Sequence, residues 1–123
     1  MTIYFGGIAH GQAALCKKET GLTPVSFEHD PDAALHARAI ADFHLLVRAV
    51  LARGGSAQDF ARRLLAENPD AVLTCDEIGG GIVPLDGEER RWREETGRAL
   101  GILTDDPATR LVRVWYGLGE VLK

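Results

Sequence analysis

The stretch Ile3-Tyr-Phe-Gly-Gly-Ile-Ala-His-Gly-Gln-Ala13 carries the strongest signal of the fold class. Its apolar, β-rich start stops at Gly6 and Gly7, which is typical of a short buried strand that leads into a tight loop. Residues Gln12–Glu19 then predict a short helix, which ends at Gly21. A strand, a glycine loop and a helix in this order are the first half of a β-α-β unit.

The rest of the chain continues this alternation of strands and helices. Apolar residues recur at helical spacing between Phe43 and Leu51, and the run Ala71–Cys75 is the clearest strand in the sequence. The other predicted segments are a weak strand at Thr23–Phe27, helices capped by Asp30 and Ser56, a helix at Glu88–Leu100 and a strand at Leu111–Tyr116. This order predicts an α/β fold, a small three-layer domain with a mostly parallel sheet of about four strands. We expect Trp92 and Trp115 in its core.

Length and composition are those of an ordinary globular protein. The chain has 123 residues, 46% of them hydrophobic and 26% charged, so residues 1–123 are predicted to form one domain. The net charge of −4 disfavours nucleic acid as a partner, because such binding needs a basic surface. The sequence has no long apolar segment and no basic, apolar leader, so we expect a cytoplasmic protein without a membrane partner. Cys16 and Cys75 are expected to be reduced thiols.

Gly6 and Gly11 have the spacing of the phosphate-binding loop (P-loop) G-x-x-x-x-G-K-[ST]. In that loop, backbone N–H groups hold the phosphates, a lysine adds positive charge and a hydroxyl binds Mg²⁺. Here Gln12 stands at the lysine position and Ala13 at the hydroxyl position, so only the backbone part is retained. The candidate cofactor-binding residues are Gly6, Gly7, Ile8, Ala9, His10, Gly11, Gln12 and Ala13. A plain turn between a strand and a helix is the alternative explanation of the two glycines.

A pair of carboxylates follows the apolar run Ala71–Cys75. In nucleotide-binding sheets the first such carboxylate binds Mg²⁺ and the second orients or deprotonates a nucleophile. Asp76 is therefore the candidate metal ligand and Glu77 the candidate catalytic base. The alternative is a solvated strand end without a ligand. Glycines at Gly79–Gly81 follow directly and form the second glycine cluster at the end of a predicted strand.

The C-terminal half resembles the adenosylcobinamide kinase / adenosylcobinamide-phosphate guanylyltransferase family of cobalamin biosynthesis. The family pattern N-E-V-G-x-G-I-V-P is similar to Asp76-Glu-Ile-Gly-Gly-Gly-Ile-Val-Pro84, and F-R-D-x-x-G-R is similar to Trp92-Arg-Glu-Glu-Thr-Gly-Arg98. The closing V-x-G-I-x-x-x-L-K resembles Val114–Lys123 with one extra residue, and the opening G-G-x-R-S-G-K-S matches Gly6–Ala13 in spacing. The resemblance implies a P-loop nucleotide-binding fold, Mg²⁺ with ATP or GTP as cofactor, and a corrinoid alcohol as phosphoryl acceptor.

The sequence also departs from the family pattern. The lysine and hydroxyl of the loop are absent, and the chain lacks the segment that carries the guanylylated histidine, so guanylyl transfer is expected to be lost. Two functions remain open. The first is a nucleotide- or corrinoid-binding protein of corrinoid metabolism, whose reaction, if it catalyses one, is phosphoryl transfer from ATP or GTP to adenosylcobinamide. The second is a catalytically inactive binding or regulatory subunit. A homo-oligomer is expected in either case, because a sheet this small leaves apolar edges to cover.

Overall fold

The computed structural model describes residues 1–78 and 86–123, which form ten short elements. The predicted glycine cluster Gly79–Gly81 lies outside the described residues. The strands are β1 (Thr2–Gly6), β2 (Ala39–Ile40), β3 (Val72–Asp76), β4 (Arg110–Trp115) and β5 (Leu118–Val121). The helices are α1 (Gln12–Thr20), α2 (Phe43–Ala52), α3 (Ala57–Glu67) and α4 (Gly87–Asp105), with a 3-10 turn at Pro31–His36.

The five strands form one sheet in the order β2-β3-β1-β4-β5. The first four run parallel, and β5 returns antiparallel to β4. The prediction of an α/β domain with a mostly parallel sheet is therefore confirmed, although the sheet has five strands rather than about four. Among the described helices, none has the length and hydrophobicity needed to cross a bilayer.

Helices cover both faces of the sheet and enclose two cores. The core between the sheet and α1 contains Tyr4, Leu15, Cys16, Val72, Val112 and Val114. The larger core between the sheet and the other three helices includes Ile3, Phe43, Leu46, Phe60, Leu73, Cys75 and Leu103. Successive strand residues point to opposite faces, so β1 and β3 contribute side chains to both cores. The layers α1, sheet and α2–α4 make the three-layer arrangement expected from the sequence.

Local signals placed several helix ends correctly. Helix α1 ends at Gly21, which has a φ of 77° and caps the helix through its N–H to Lys17 O. Helix α3 begins after Ser56, whose hydroxyl accepts from the N–H of Asp59 at 3.2 Å. Both ends were predicted from residues within one turn of the boundary, where the capping interaction itself is local.

Three predictions for the fold were wrong. Asp30 does not cap a long helix: only a 3-10 turn follows, closed by Asn68, whose amide donates to Ala34 O and Ala37 O at 3.0 and 2.7 Å. Thr23–Phe27 is not a strand, since only Val25 bridges to Ile40 at the sheet edge. Trp115 is 53% exposed rather than in the core, because it alternates with the buried Val112 and Val114 and points to the opposite face of the sheet near its edge. The first two errors come from contacts distant in sequence.

Candidate functional site

The candidate site lies at the carboxyl ends of β1 and β3. These neighbouring parallel strands are aligned so that Gly6 is opposite Asp76. The helix after β1, α1, packs on one face of the sheet, and the helix after β3, α4, packs on the other. Adjacent strands whose connections leave on opposite faces open a crevice between them, and ligands of open α/β sheets bind in such crevices. The topology therefore brings the two sequence motifs to one crevice.

The loop after β1 is a tight turn. The N–H of His10 donates to Gly7 O at 3.2 Å, and Ala9 has a φ of 62°. The His10 ring stacks on Tyr116 with centroids 4.6 Å apart, and the His10 carbonyl accepts from Gly117 N at 2.7 Å. The loop is thus closed by its own hydrogen bond and supported by the β4–β5 turn. Since the amide of His10 is used internally, it is not available to a phosphate.

Two of the loop glycines are required by the fold itself. A Cβ on Gly6 would lie 2.3 Å from the carbonyl oxygen of Val114, so a side chain there would push β1 away from β4. Gly11 has a φ of 93°, in the left-handed region that favours glycine, and faces Gly117 at close range. The glycine spacing is therefore explained by packing and turn geometry, with or without a ligand.

Gln12 holds the crevice together from inside. Its side-chain amide nitrogen donates to Gly6 O at 2.8 Å, Gly7 O at 3.0 Å and the Asp76 carboxylate at 3.0 Å. Cys75 O lies 3.4 Å from the same nitrogen. Gln12 is only 5% exposed. Four oxygens thus converge on one nitrogen that carries two hydrogens, and this nitrogen links the ends of β1 and β3.

Asp76 accepts a hydrogen bond at one carboxylate oxygen and lies near His44 at the other. Gln12 donates to Oδ1, and Nε2 of His44 lies 3.6 Å from Oδ2. Burial raises the pKa of the Asp76 carboxyl above its ordinary range; His44 opposes this shift and Asp42 adds to it. The carboxylate is therefore a fixed, partly desolvated group rather than a solvated strand end.

The tautomer of His44 is set by the backbone. The N–H of Asp76 donates to Nδ1 of His44 at 3.1 Å, so Nδ1 has no hydrogen and Nε2 carries it in the neutral ring. Burial lowers the pKa of His44, although Asp76 and Asp42 oppose this shift, so the neutral form is favoured. Trp92 donates from Nε1 to His44 O at 2.7 Å, and Arg48 lies 3.7 Å over the Trp92 ring. His44 is therefore held from both sides.

Asp42, His44 and Asp76 place one potential metal-ligand atom each within 4.8 Å of one another. Asp42 caps α2 with a φ of 55°, and its N–H donates to the hydroxyl of Thr74 at 3.0 Å. A metal bound to Nε2 of His44 would require a hydrogen on Nδ1, which would point at the N–H of Asp76. The donor set as arranged does not suit a histidine-bound metal ion.

The remaining predicted residues lie around the mouth of the crevice. Glu77 donates its backbone N–H to Gly6 O at 2.8 Å, and its side chain is exposed to solvent. Ala13 is exposed in the first turn of α1, and Ile8 is exposed at the loop tip. Within the described ranges, no side chain caps α1, and its first turn contains no acidic residue. The structure thus brings Gly6, Gln12, Asp76 and the backbone of Glu77 together, while Ile8 is exposed to solvent.

Sequence reasoning missed the role of His44 and Asp42. By its spacing alone, His44 is an ordinary histidine at the edge of the core, because it lies next to the apolar face of its helix. The one local sign was Thr74, a buried polar residue within an apolar strand. A buried hydroxyl needs a partner, and here it accepts from the N–H of Asp42 and fixes that residue beside the site.

Comparison with known proteins identified no family for the chain. No protein-family model matches it, and no curated protein matches it either.

Proposed function

We propose that the crevice between the Gly6–Ala13 loop and Asp76 binds the phosphate group of a nucleotide, ATP or GTP, or a corrinoid that carries phosphate. The observation that carries the proposal is the alignment of Gly6 with Asp76 at a crevice between β1 and β3. The resemblance to the adenosylcobinamide kinase family supplies the ligand classes and the link to corrinoid metabolism.

The first turn of α1 is the proposed phosphate contact. The first N–H groups of a helix lack partners within the helix, and the helix dipole favours an anion there. Ala13 and Ala14 are exposed and small, and among the described residues no side chain caps the helix. The contact rests on α1 rather than on the loop, because the amide of His10 is already bonded to Gly7 O.

A second candidate function, binding without phosphoryl transfer, is favoured by Gln12. A lysine at this position would place positive charge on the transferred phosphate, whereas Gln12 is neutral and its amide is bonded to Gly6, Gly7 and Asp76. Transfer without that charge loses much of the stabilisation that phosphoryl transfer depends on. We therefore favour an inactive binding or regulatory subunit over a kinase in which Glu77 is the base.

Mg²⁺ is a poor fit to the residues present. Ala13 offers no oxygen ligand, and the carboxylate of Asp76 is occupied by Gln12 and faced by the Nε2–H of His44. Mg²⁺ needs near-octahedral oxygen ligands and most often binds through carboxylates and substrate phosphates. The side chains present therefore do not support the Mg²⁺ expected from the sequence, and we expect Mg²⁺ to change nucleotide affinity little.

Calorimetric titration tests this proposal. The purified protein is titrated with ATP, GTP, tripolyphosphate and adenosylcobinamide phosphate, each with and without Mg²⁺. Ala13→Glu should weaken phosphate binding about tenfold or more, because it places a negative charge at the N-terminus of α1. Ala66→Glu, at an exposed position of α3, is the charge-matched control and should bind like the wild type.

The outcomes separate the candidates. Binding that Ala13→Glu weakens and Ala66→Glu leaves unchanged supports a phosphate site at α1. No heat with any of these ligands at millimolar concentration overturns the proposal. Turnover of ATP or GTP with adenosylcobinamide, lost in Glu77→Gln, would overturn the inactive subunit in favour of the kinase. The double change Gln12→Lys, Ala13→Ser should tighten Mg²⁺-nucleotide binding if the loop is a decayed phosphate loop.

A further inference from the structure

The β4–β5 hairpin exposes a group of large apolar residues at the edge of the sheet. Its two-residue turn, Tyr116 and Gly117, has positive φ at both positions, as a tight hairpin turn requires. Tyr116 is 78% exposed, Leu118 74% and Leu122 52%, and all of β5 is exposed. Exposed apolar side chains concentrated on an edge strand mark a surface that associates with another chain.

The register of the hairpin divides these residues between its two faces. Val112 and Val114 point to the core under α1, so the alternating residues Arg113 and Trp115 point to the opposite face. Arg113 lies across from Glu120, and Trp115 lies across from Leu118. We call the set Arg113, Trp115, Leu118, Glu120 and Leu122 the hairpin face. Most of it, together with Tyr116, lines a shallow cavity of about 250 Å³.

The hairpin face is complementary to itself. Consider a two-fold axis that lies between two copies, parallel to the strands and over the midline between β4 and β5. This axis places each residue of a cross-strand pair opposite its pairing partner in the second copy. In that arrangement Arg113 lies opposite Glu120 of a second copy, and Trp115 lies opposite Leu118 of that copy. Unlike charges then meet at both symmetry-related positions, and Trp115 and Leu118 meet beside them, nearer the turn. We propose that the hairpin face is the interface of a homodimer in which two hairpins pack face to face.

The exposed area reaches the size that a weak dimer needs. Trp115, Leu118 and Leu122 of the hairpin face, and Tyr116 beside them in the turn, are each more than half exposed. At about 200 Å² for a large apolar side chain, they offer roughly 500 Å² per protomer and roughly 1,000 Å² in the pair. This area is at the lower end of specific interfaces, so we expect dissociation in the micromolar range. The charged pairs then contribute to orientation as well as affinity.

Sedimentation velocity of the full chain tests the dimer. Wild-type protein between about 1 and 200 µM should change from monomer to dimer. Arg113→Glu and Glu120→Arg should each weaken dimerisation about tenfold or more, because each places like charges opposite one another twice. The decisive sample is an equimolar mixture of the two variants. In the mixed dimer the two substituted side chains face each other with their charges exchanged, and the native Arg113 faces the native Glu120. Association should therefore return.

The mixture separates contacts between copies from contacts within one copy. In each variant, residues 113 and 120 of the same hairpin still carry like charges, so only contacts between copies can restore association. Val121→Thr is the control, since Val121 lies on the opposite face of the same strand and its replacement should leave the dimer intact. Monomer at every concentration overturns the proposal. So does a dimer that Val121→Thr weakens while Arg113→Glu does not, because that result indicates association through the opposite face of the hairpin. Circular dichroism confirms that each variant is folded.

Discussion

Gln12→Leu should destabilise the protein by about 3 kcal/mol. The change removes the amide that joins the ends of β1 and β3. One of its hydrogens serves carbonyl oxygens, at a net worth of about 1 kcal/mol, and the other serves the carboxylate of Asp76, at about 1.5–3 kcal/mol. Leucine has a similar volume, so the loss measures hydrogen bonding rather than a cavity. A loss of this size should lower Tm by roughly 12 °C in a domain of this length.

Urea denaturation followed by circular dichroism measures the change in unfolding free energy. Gln12→Lys is the informative companion, because an ammonium has three hydrogens for the four oxygens and brings charge to Asp76. It should stay within about 1 kcal/mol of the wild type. Gln58→Leu is the matched control, since Gln58 makes one long contact, 3.4 Å to Glu95, and should cost under about 0.5 kcal/mol. A loss below about 0.5 kcal/mol for Gln12→Leu would refute the argument that this amide ties the two strands together.

Two further predictions concern stability. Gly6→Ala should lower the free energy of unfolding by about 2 kcal/mol or more, because its Cβ would meet Val114 O. Gly97→Ala, on the open surface of α4, should raise it by about 0.5–1 kcal/mol. Equal effects of the two changes in thermal melts would contradict the close approach of β1 to β4. Burial lowers the pKa of His44 below 6.5, so as pH falls the unfolded chain is protonated at this histidine before the folded protein is. The contribution of His44 to the free energy of unfolding is therefore complete above about pH 6.5 and is lost as pH falls. Urea titrations from pH 5 to 8 should show that His44→Gln loses less unfolding free energy at acid pH than the wild type does. If the pH dependence of the unfolding free energy is unchanged in this variant, His44 is not the cause of the acid loss.

Much of the fold could be predicted because its signals are local. The strand before Gly6, the stop of α1 at Gly21 and the cap of α3 at Ser56 each depend on neighbours within about one turn. The two-residue strand β2 could not be predicted, since two residues carry no periodicity. It is extended because it pairs with β3, and Asn68 holds the turn before it. Neither partner is near β2 in the sequence.

The candidate site was half predictable for a similar reason. The position of Asp76 at the end of β3 followed from the apolar run before it, and its alignment with Gly6 followed from parallel pairing. The contacts that fix its chemistry come from elsewhere in the chain. His44 reaches it from α2, and Gln12 reaches it from α1 across the sheet end. The sequence pattern shows that Gln12 stands where the P-loop pattern has lysine. It does not show that the Gln12 amide is hydrogen-bonded to Asp76.

Gln12 differs from the loop glycines in what it indicates about a phosphate site. Gly6 and Gly11 are required by the approach of Val114 and by a positive φ, so their spacing is expected with or without a ligand. Gln12 is different, because leucine or alanine would fit a buried helix start without a polar partner to satisfy. An amide surrounded by four oxygens occupies the place where an ammonium would be held. These four oxygens would also accept hydrogen bonds from an ammonium, and titration of Gln12→Lys with ATP tests whether a positive charge at this position gives the crevice affinity for phosphate.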